Sequence, residues 1–154
     1  MNTGTIVFRK TISVAALLLL MGCSGTVPTA FQHNLNERPT PWTHNRFDNA
    51  EDKFTFAIFS DLNGGEREKV FEVAVAQLSL LRPELILSVG DLIDGGTENR
   101  ETLRQEWESF DVRASRAVAP VFKVGGNHDL TNLTMRDVWM ERYGARYYHF
   151  IYKN

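Results

Sequence analysis

An α/β fold, with helices layered on a mainly parallel sheet, is predicted by three features of this 154-residue sequence. Short runs rich in β-branched and aromatic residues recur at 54–59, 85–89 and 121–124, as buried strands require. Between them lie longer stretches whose apolar residues return every three or four positions, the period of an amphipathic helix. Each strand-like run ends in a loop rich in glycine and in aspartate or asparagine, so strand, loop and helix alternate as they do in a parallel sheet with crossover helices.

Regular structure is expected from Phe54 onward, and the amino-terminal part reads differently. Arg9 and Lys10 precede an apolar run at 11–21 that ends at Gly22 and Cys23. At about 1.5 Å per helical residue, such a run is too short to cross a hydrocarbon core of about 30 Å. It is read as a signal peptide over 1–22. Leu20, Met21, Gly22 and Cys23 resemble the lipobox of bacterial lipoproteins. The resemblance implies lipidation of Cys23 and anchoring in the bacterial cell envelope. Ser24, where aspartate would alter sorting, points to the outer membrane, facing periplasm or exterior.

Cys23 is the only cysteine, so no intramolecular disulfide or thiolate cluster can form, and any metal must be held by oxygen and imidazole. From 24 to 52, Pro28, Pro39 and Pro41 stand among threonine, asparagine and glutamine without clear periodicity. With Cys23 this stretch is expected to be a lipid-anchored linker over 23–52, and His33 and His44 within it to be solvated.

The first strand, 54–59, runs into a turn at Ser60, Asp61, Leu62, Asn63, Gly64 and Gly65. Val70, Phe71, Ala74, Val75, Leu78 and Leu81 then mark a helix over about 66–81, ended by Arg82 and Pro83. The second strand delivers Gly90 to Asp94, and Gly95 and Gly96 extend that loop. Thr97 is the expected cap of a helix over 98–115 that turns Leu103, Trp107 and Phe110 inward. Pro120 introduces the third strand. After Gly125 to Asp129 come a helix near 134–143 and a terminal strand over 147–152.

Lysine and arginine number 17 against 19 for aspartate and glutamate, a net charge of -2, and no basic run interleaves with aromatics. Nucleic acid is therefore not an expected partner. The chemistry lies instead in the loops, because ligands of such sheets bind beyond the carboxyl ends of the strands. Asp61, Asp91 and Asn127 would meet there. A carboxylate can bridge two cations about 3.5 to 4 Å apart, the separation that clamps attacking and leaving oxygens in a displacement. The amide oxygen of Asn127 ligates without cancelling positive charge that a phosphate needs.

These three motifs resemble those of the calcineurin-like metallophosphoesterases: DxH, then GDxxD, then GNH with an acidic residue after it. Here they stand as DLN at Asp61 to Asn63, GDLID at Gly90 to Asp94, and GNHD at Gly126 to Asp129. The resemblance covers Phe54 to the end of the chain. It implies a layered αββα sandwich, of which this chain supplies the amino-terminal βαβαβ half over 53–154. It further implies two divalent metal ions of the manganese, iron, zinc or nickel class and a phosphoester substrate. Asp61 and Asn63 would ligate the first metal, Asp91 would bridge both, and Asn127 would ligate the second. His128 would be the catalytic acid at the leaving oxygen, oriented by Asp94, while Asp129 is read as structural. Gly90 and Gly126 let backbone approach the site closely, and Gly64 and Gly65 either form a plain turn or expose amides to an anion.

Two departures bear on activity. Asn63 stands where the family has histidine, and an amide oxygen is a weaker ligand toward transition metals than imidazole. The family's downstream histidines, one isolated and one GHxH pair, are not found in this sequence. The sole later histidine, His149, lies in an aromatic run and is read as a strand-face residue. Asp61, Asn63, Asp91 and Asn127 alone supply too few donors for two metals. Two readings follow: a dinuclear phosphoesterase incomplete in this chain, with little hydrolysis and weak metal binding, or a non-catalytic lipoprotein that keeps part of the fold as a binding or structural surface. A nucleotide-binding module is disfavoured, because no Walker or GxGxxG loop follows the first strand.

Overall fold

Residues 31–48 and 53–153 are described by the computed structural model. In chain order they form β1 (Phe31–His33), β2 (Phe56–Phe59), α1 (Val70–Leu81), β3 (Leu85–Ser88), α2 (Arg100–Ala114), β4 (Val121–Phe122), a short helical turn α3 (Asn127–Leu130), α4 (Leu133–Tyr143) and β5 (Phe150–Tyr152). The expected βαβαβ succession is β2-α1-β3-α2-β4. Its strands lie side by side in that order, all parallel, with Phe56 opposite Leu85 and Ile86 opposite Val121.

Period-two alternation divides this sheet between two cores. Ala57, Phe59, Ile86 and Val121 face the helices, where Phe71 and Val75 of α1, Leu103, Trp107 and Phe110 of α2, and Val138, Trp139 and Tyr143 of α4 are buried. Leu85, Leu87 and Phe122 face the other way, onto an aromatic cluster. The starts of α2 and α4 are fixed by asparagine. Asn99 accepts the amides of Glu101 and Thr102 at α2, and Asn132 accepts that of Met135 at α4. Thr97, the expected cap of α2, instead accepts the Asn99 amide and so braces the residue that does the capping. In α1 only one edge of the apolar stripe is covered: Phe71 and Val75 are buried, whereas Val70, Ala74 and Leu81 are exposed.

Two expectations change. The stretch read as a linker is, over 31–48, part of the fold. β1 pairs antiparallel with β5, Trp42 forms a bridge with Phe122, and the backbone of Pro41 and Thr43 bonds to Lys123 and Val121. Phe31, Trp42 and Phe47 fill the second core, so their burial rather than any local periodicity orders this segment. The terminal strand is also shorter than 147–152, and it joins this ribbon instead of the parallel sheet. His149 precedes the strand and is exposed, with its amide donated to Asn34 Oδ1 at 2.9 Å.

At the end of β4, Lys123 is 4% exposed, with Nζ 3.0 Å from Asp111 and 4.2 Å from the Tyr143 ring centre. Burial lowers its pKa and the Asp111 carboxylate opposes that shift. Arg142 reaches the same carboxylate at 2.7 Å, so β4, α2 and α4 share one half-buried ionic junction just before Gly125. Among the described residues no helix is long and apolar enough to cross a membrane. The stretch 1–22 expected to be a signal peptide, and Cys23, lie outside the described residues.

Candidate functional site

Strands β2 and β3 each deliver an aspartate in the same unusual backbone conformation. Asp61 and Asp91 both have φ 57, the left-handed region in which aspartate is one of the few tolerated side chains. The two loops are joined by backbone: Asp61 donates to Gly90 O at 3.3 Å, and Leu62 to Asp91 O at 2.8 Å. Side by side in parallel strands, the first two motifs arrive at the same edge of the sheet.

The third motif folds onto the second. Gly90 has φ +98, and a Cβ there would lie 2.5 Å from the Gly126 nitrogen and 2.7 Å from its Cα. A Cβ on Gly126 would in turn meet the Asp91 backbone nitrogen at 2.7 Å. This contact lets the His128 amide donate to Asp91 Oδ1 at 2.9 Å. Asn127 is exposed at the start of α3, and its carbonyl accepts the Thr131 hydroxyl. Asp61 is likewise exposed and accepts the Ser60 hydroxyl. Asn63 is half-buried, and its Nδ2 is enclosed with no hydrogen-bond partner among the described residues.

The expected carboxylate bond from Asp94 to His128 is replaced by another arrangement. His128 Nδ1 lies 2.9 Å from the backbone carbonyl of Asp94, while the Asp94 carboxylate accepts the Gly64 amide at 3.1 Å. A carbonyl can only accept, so Nδ1 carries the proton and Nε2 is the nitrogen left for other chemistry. Asp94 thus orients His128 through its main chain and ties the first loop to the second through its side chain.

Asp129 is wholly buried, and its carboxylate accepts four backbone amides. Oδ2 takes those of Asp91 and Gly126, each at 2.8 Å, and Oδ1 takes those of Leu92 at 2.9 Å and Ile93 at 3.3 Å. Burial raises its pKa, and the four donors restrain that rise. Sequence reading assigned Asp129 only a structural part. Its position three residues after Gly126, where an acidic residue reaches back to the start of a helical turn, is the signal that foretells one of the four bonds.

Beside these loops a cleft of about 310 Å³ separates the turn after β2 from α2. Leu62 and Asp94 line one side, and Glu106, Ser109 and Arg113 the other. Arg113 pairs with Glu66, so the turn is also pinned to α2. Burial raises the pKa of Glu106, which accepts the Gly95 amide at 3.0 Å; that bond works against the shift and the nearby Asp94 adds to it.

A family model described as calcineurin-like phosphoesterase matches residues 54–154. The chain belongs to that family. Neither a curated protein nor a solved structure matches it. In this phosphoesterase domain the segment 31–48 precedes the matched span yet packs on it through the aromatic core. The family works with divalent metals, and the residues present fit them only in part. Asp61, Asn63, Asp91 and Asn127 would offer hard oxygens, two carboxylates and two amides, whereas the enclosed, unpartnered atom of Asn63 is Nδ2, an N–H donor that cannot ligate a cation. Among the described residues, however, no three or more His, Cys, Asp or Glu side chains gather as a metal cage.

Proposed function

We propose that the loops after β2, β3 and β4 form the phosphate-facing part of a metal-dependent phosphoesterase site. The observation that carries this reading is that Asp91 is bonded on both flanks, through its carbonyl to Leu62 and through its carboxylate to the His128 amide. That places residues of all three motifs within one small cluster. Asp61, Asn63, Asp91 and Asn127 contribute oxygen donors toward divalent cations, whether manganese, iron, zinc or nickel. His128, held at Nδ1 by the Asp94 carbonyl, presents Nε2 to the leaving oxygen of a phosphoester and in its protonated form donates to it.

Titration with Mn2+, followed by electron paramagnetic resonance, tests the donor assignment. Asp91→Asn is expected to weaken Mn2+ binding by at least about tenfold, because it removes the charge and keeps the shape. Equal affinity in the two proteins would remove Asp91 from the donor set.

The incomplete donor group favours a second reading, a fold that binds but does not hydrolyse. Hydrolysis of phosphate monoesters and diesters, assayed with each metal, separates the two. Turnover abolished by His128→Ala supports the enzyme, and Mn2+ binding without turnover supports the binding surface.

Cys23 is proposed to carry a lipid that anchors the domain to the cell envelope. The resemblance of Leu20 to Cys23 to a lipobox supports this. Incorporation of a labelled fatty acid is expected in the parent and lost in Cys23→Ser.

A further inference from the structure

We propose that Asp129 is the positioning residue of this site: a single buried carboxylate that sets the loop after β3 against the loop after β4. The metal-binding part of this inference rests on the proposed function, and the loop-setting part does not. The four donors come from Asp91, Leu92 and Ile93 on one loop and from Gly126 on the other, and they converge on two oxygens of one side chain. Only an ionised carboxylate supplies acceptor sites for four amides while bringing no donor of its own. Asparagine has the same shape but would turn an NH2 group against two of those amides.

The bonds fix geometry as well as satisfy buried groups. Three successive amides held at one point impose the curve of the loop at Asp91, where the backbone is left-handed. The bond to Gly126 then brings the third motif to the contact that Gly90 and Gly126 can make for want of a Cβ. Asp91, Asn127 and His128 therefore keep their mutual places through a residue that need touch neither metal nor phosphate. The aspartates of the first and second motifs are exposed or half-exposed, whereas Asp129 is sealed beneath them. Its side chain acts only through the loops.

Amide hydrogen exchange on the full chain tests the proposal. In the parent, the amides of Asp91, Leu92, Ile93 and Gly126 are expected to exchange with one common protection factor, since they share one acceptor group. In Asp129→Asn, protection at these amides should fall by at least about tenfold relative to the α2 and α4 amides. Leu103→Ala, a core variant in α2, serves as a destabilised control that should leave the loop-to-helix ratio unchanged.

Mn2+ affinity adds a second readout. It should fall about tenfold or more in Asp129→Asn and hold in Leu103→Ala, as expected for a residue that acts through ligands. A parent that fails to bind Mn2+ overturns the metal reading, while the exchange pattern still decides the role of Asp129. If Asp129→Asn does not fold, the shared protection factor in the parent decides it. Independent exchange of the four amides, or a uniform loss across the whole domain in Asp129→Asn, overturns the proposal.

Discussion

Gly90→Ala is expected to destabilise the domain by about 3–5 kcal/mol, a large share of the stability of a chain this size. Two effects add at this position. The backbone there has φ +98, a conformation open to glycine and costly for alanine. The new methyl group would also lie 2.5 Å from the Gly126 nitrogen and 3.2 Å from the Gly125 carbonyl carbon. Those neighbours are main-chain atoms, so no rotamer change can relieve the contact. The loops after β3 and β4 must separate or the strand must shift. Thermal unfolding by circular dichroism should show a fall in Tm on the order of 10 °C. A shift of less than about 2 °C would mean that the two loops do not approach as described.

Trp42→Ala is expected to cost about 3–4 kcal/mol, in the range of large aromatic truncations in a core. Trp42 is 6% exposed, and its ring centre lies within 5.7 Å of those of Phe31, His33, Phe122 and Tyr148. Its indole N–H donates to Asn45 Oδ1 at 2.6 Å, and the substitution removes that bond as well. A tryptophan in a solvated tether would instead change stability by no more than about 0.5 kcal/mol. Urea unfolding of the two proteins distinguishes these outcomes, and equal midpoints would return 31–48 to the status of a linker.

The periodic elements were legible in the sequence because their signals are local. The short β-branched and aromatic runs at 54–59 and 85–89 and the three- and four-residue spacing of Leu103, Trp107 and Phe110 are what buried strands and an amphipathic helix require. Phe31, Trp42 and Phe47 were not legible as core. They sit at irregular spacing among prolines, and what buries them is Phe122, Phe150 and Tyr152, residues far along the chain. The cap of α2 was misplaced by two residues, since Thr97 and Asn99 are both good capping residues and the backbone between them decides which one serves.

At the site, spacing identifies residues but not atoms. GDLID marks Asp94, yet the pattern cannot say that its carbonyl rather than its carboxylate meets His128. Asp129 was read as structural, but its partners were not legible, for a related reason. Three of its partners are backbone amides 36 to 38 residues away, and a main-chain N–H leaves no mark in a sequence.

The left-handed backbone at Asp61 and Asp91 has a consequence at the level of codons. Asparagine and glycine are the two other residues best suited to such a φ, and each is reached from an aspartate codon by a single-base change. Both remove the carboxylate and leave the conformation comfortable. Under the proposed function, these two single-base changes are ones that the fold tolerates and the site does not. A lineage could lose the chemistry here while the protein goes on folding, and the defect would escape any screen that reads abundance or solubility.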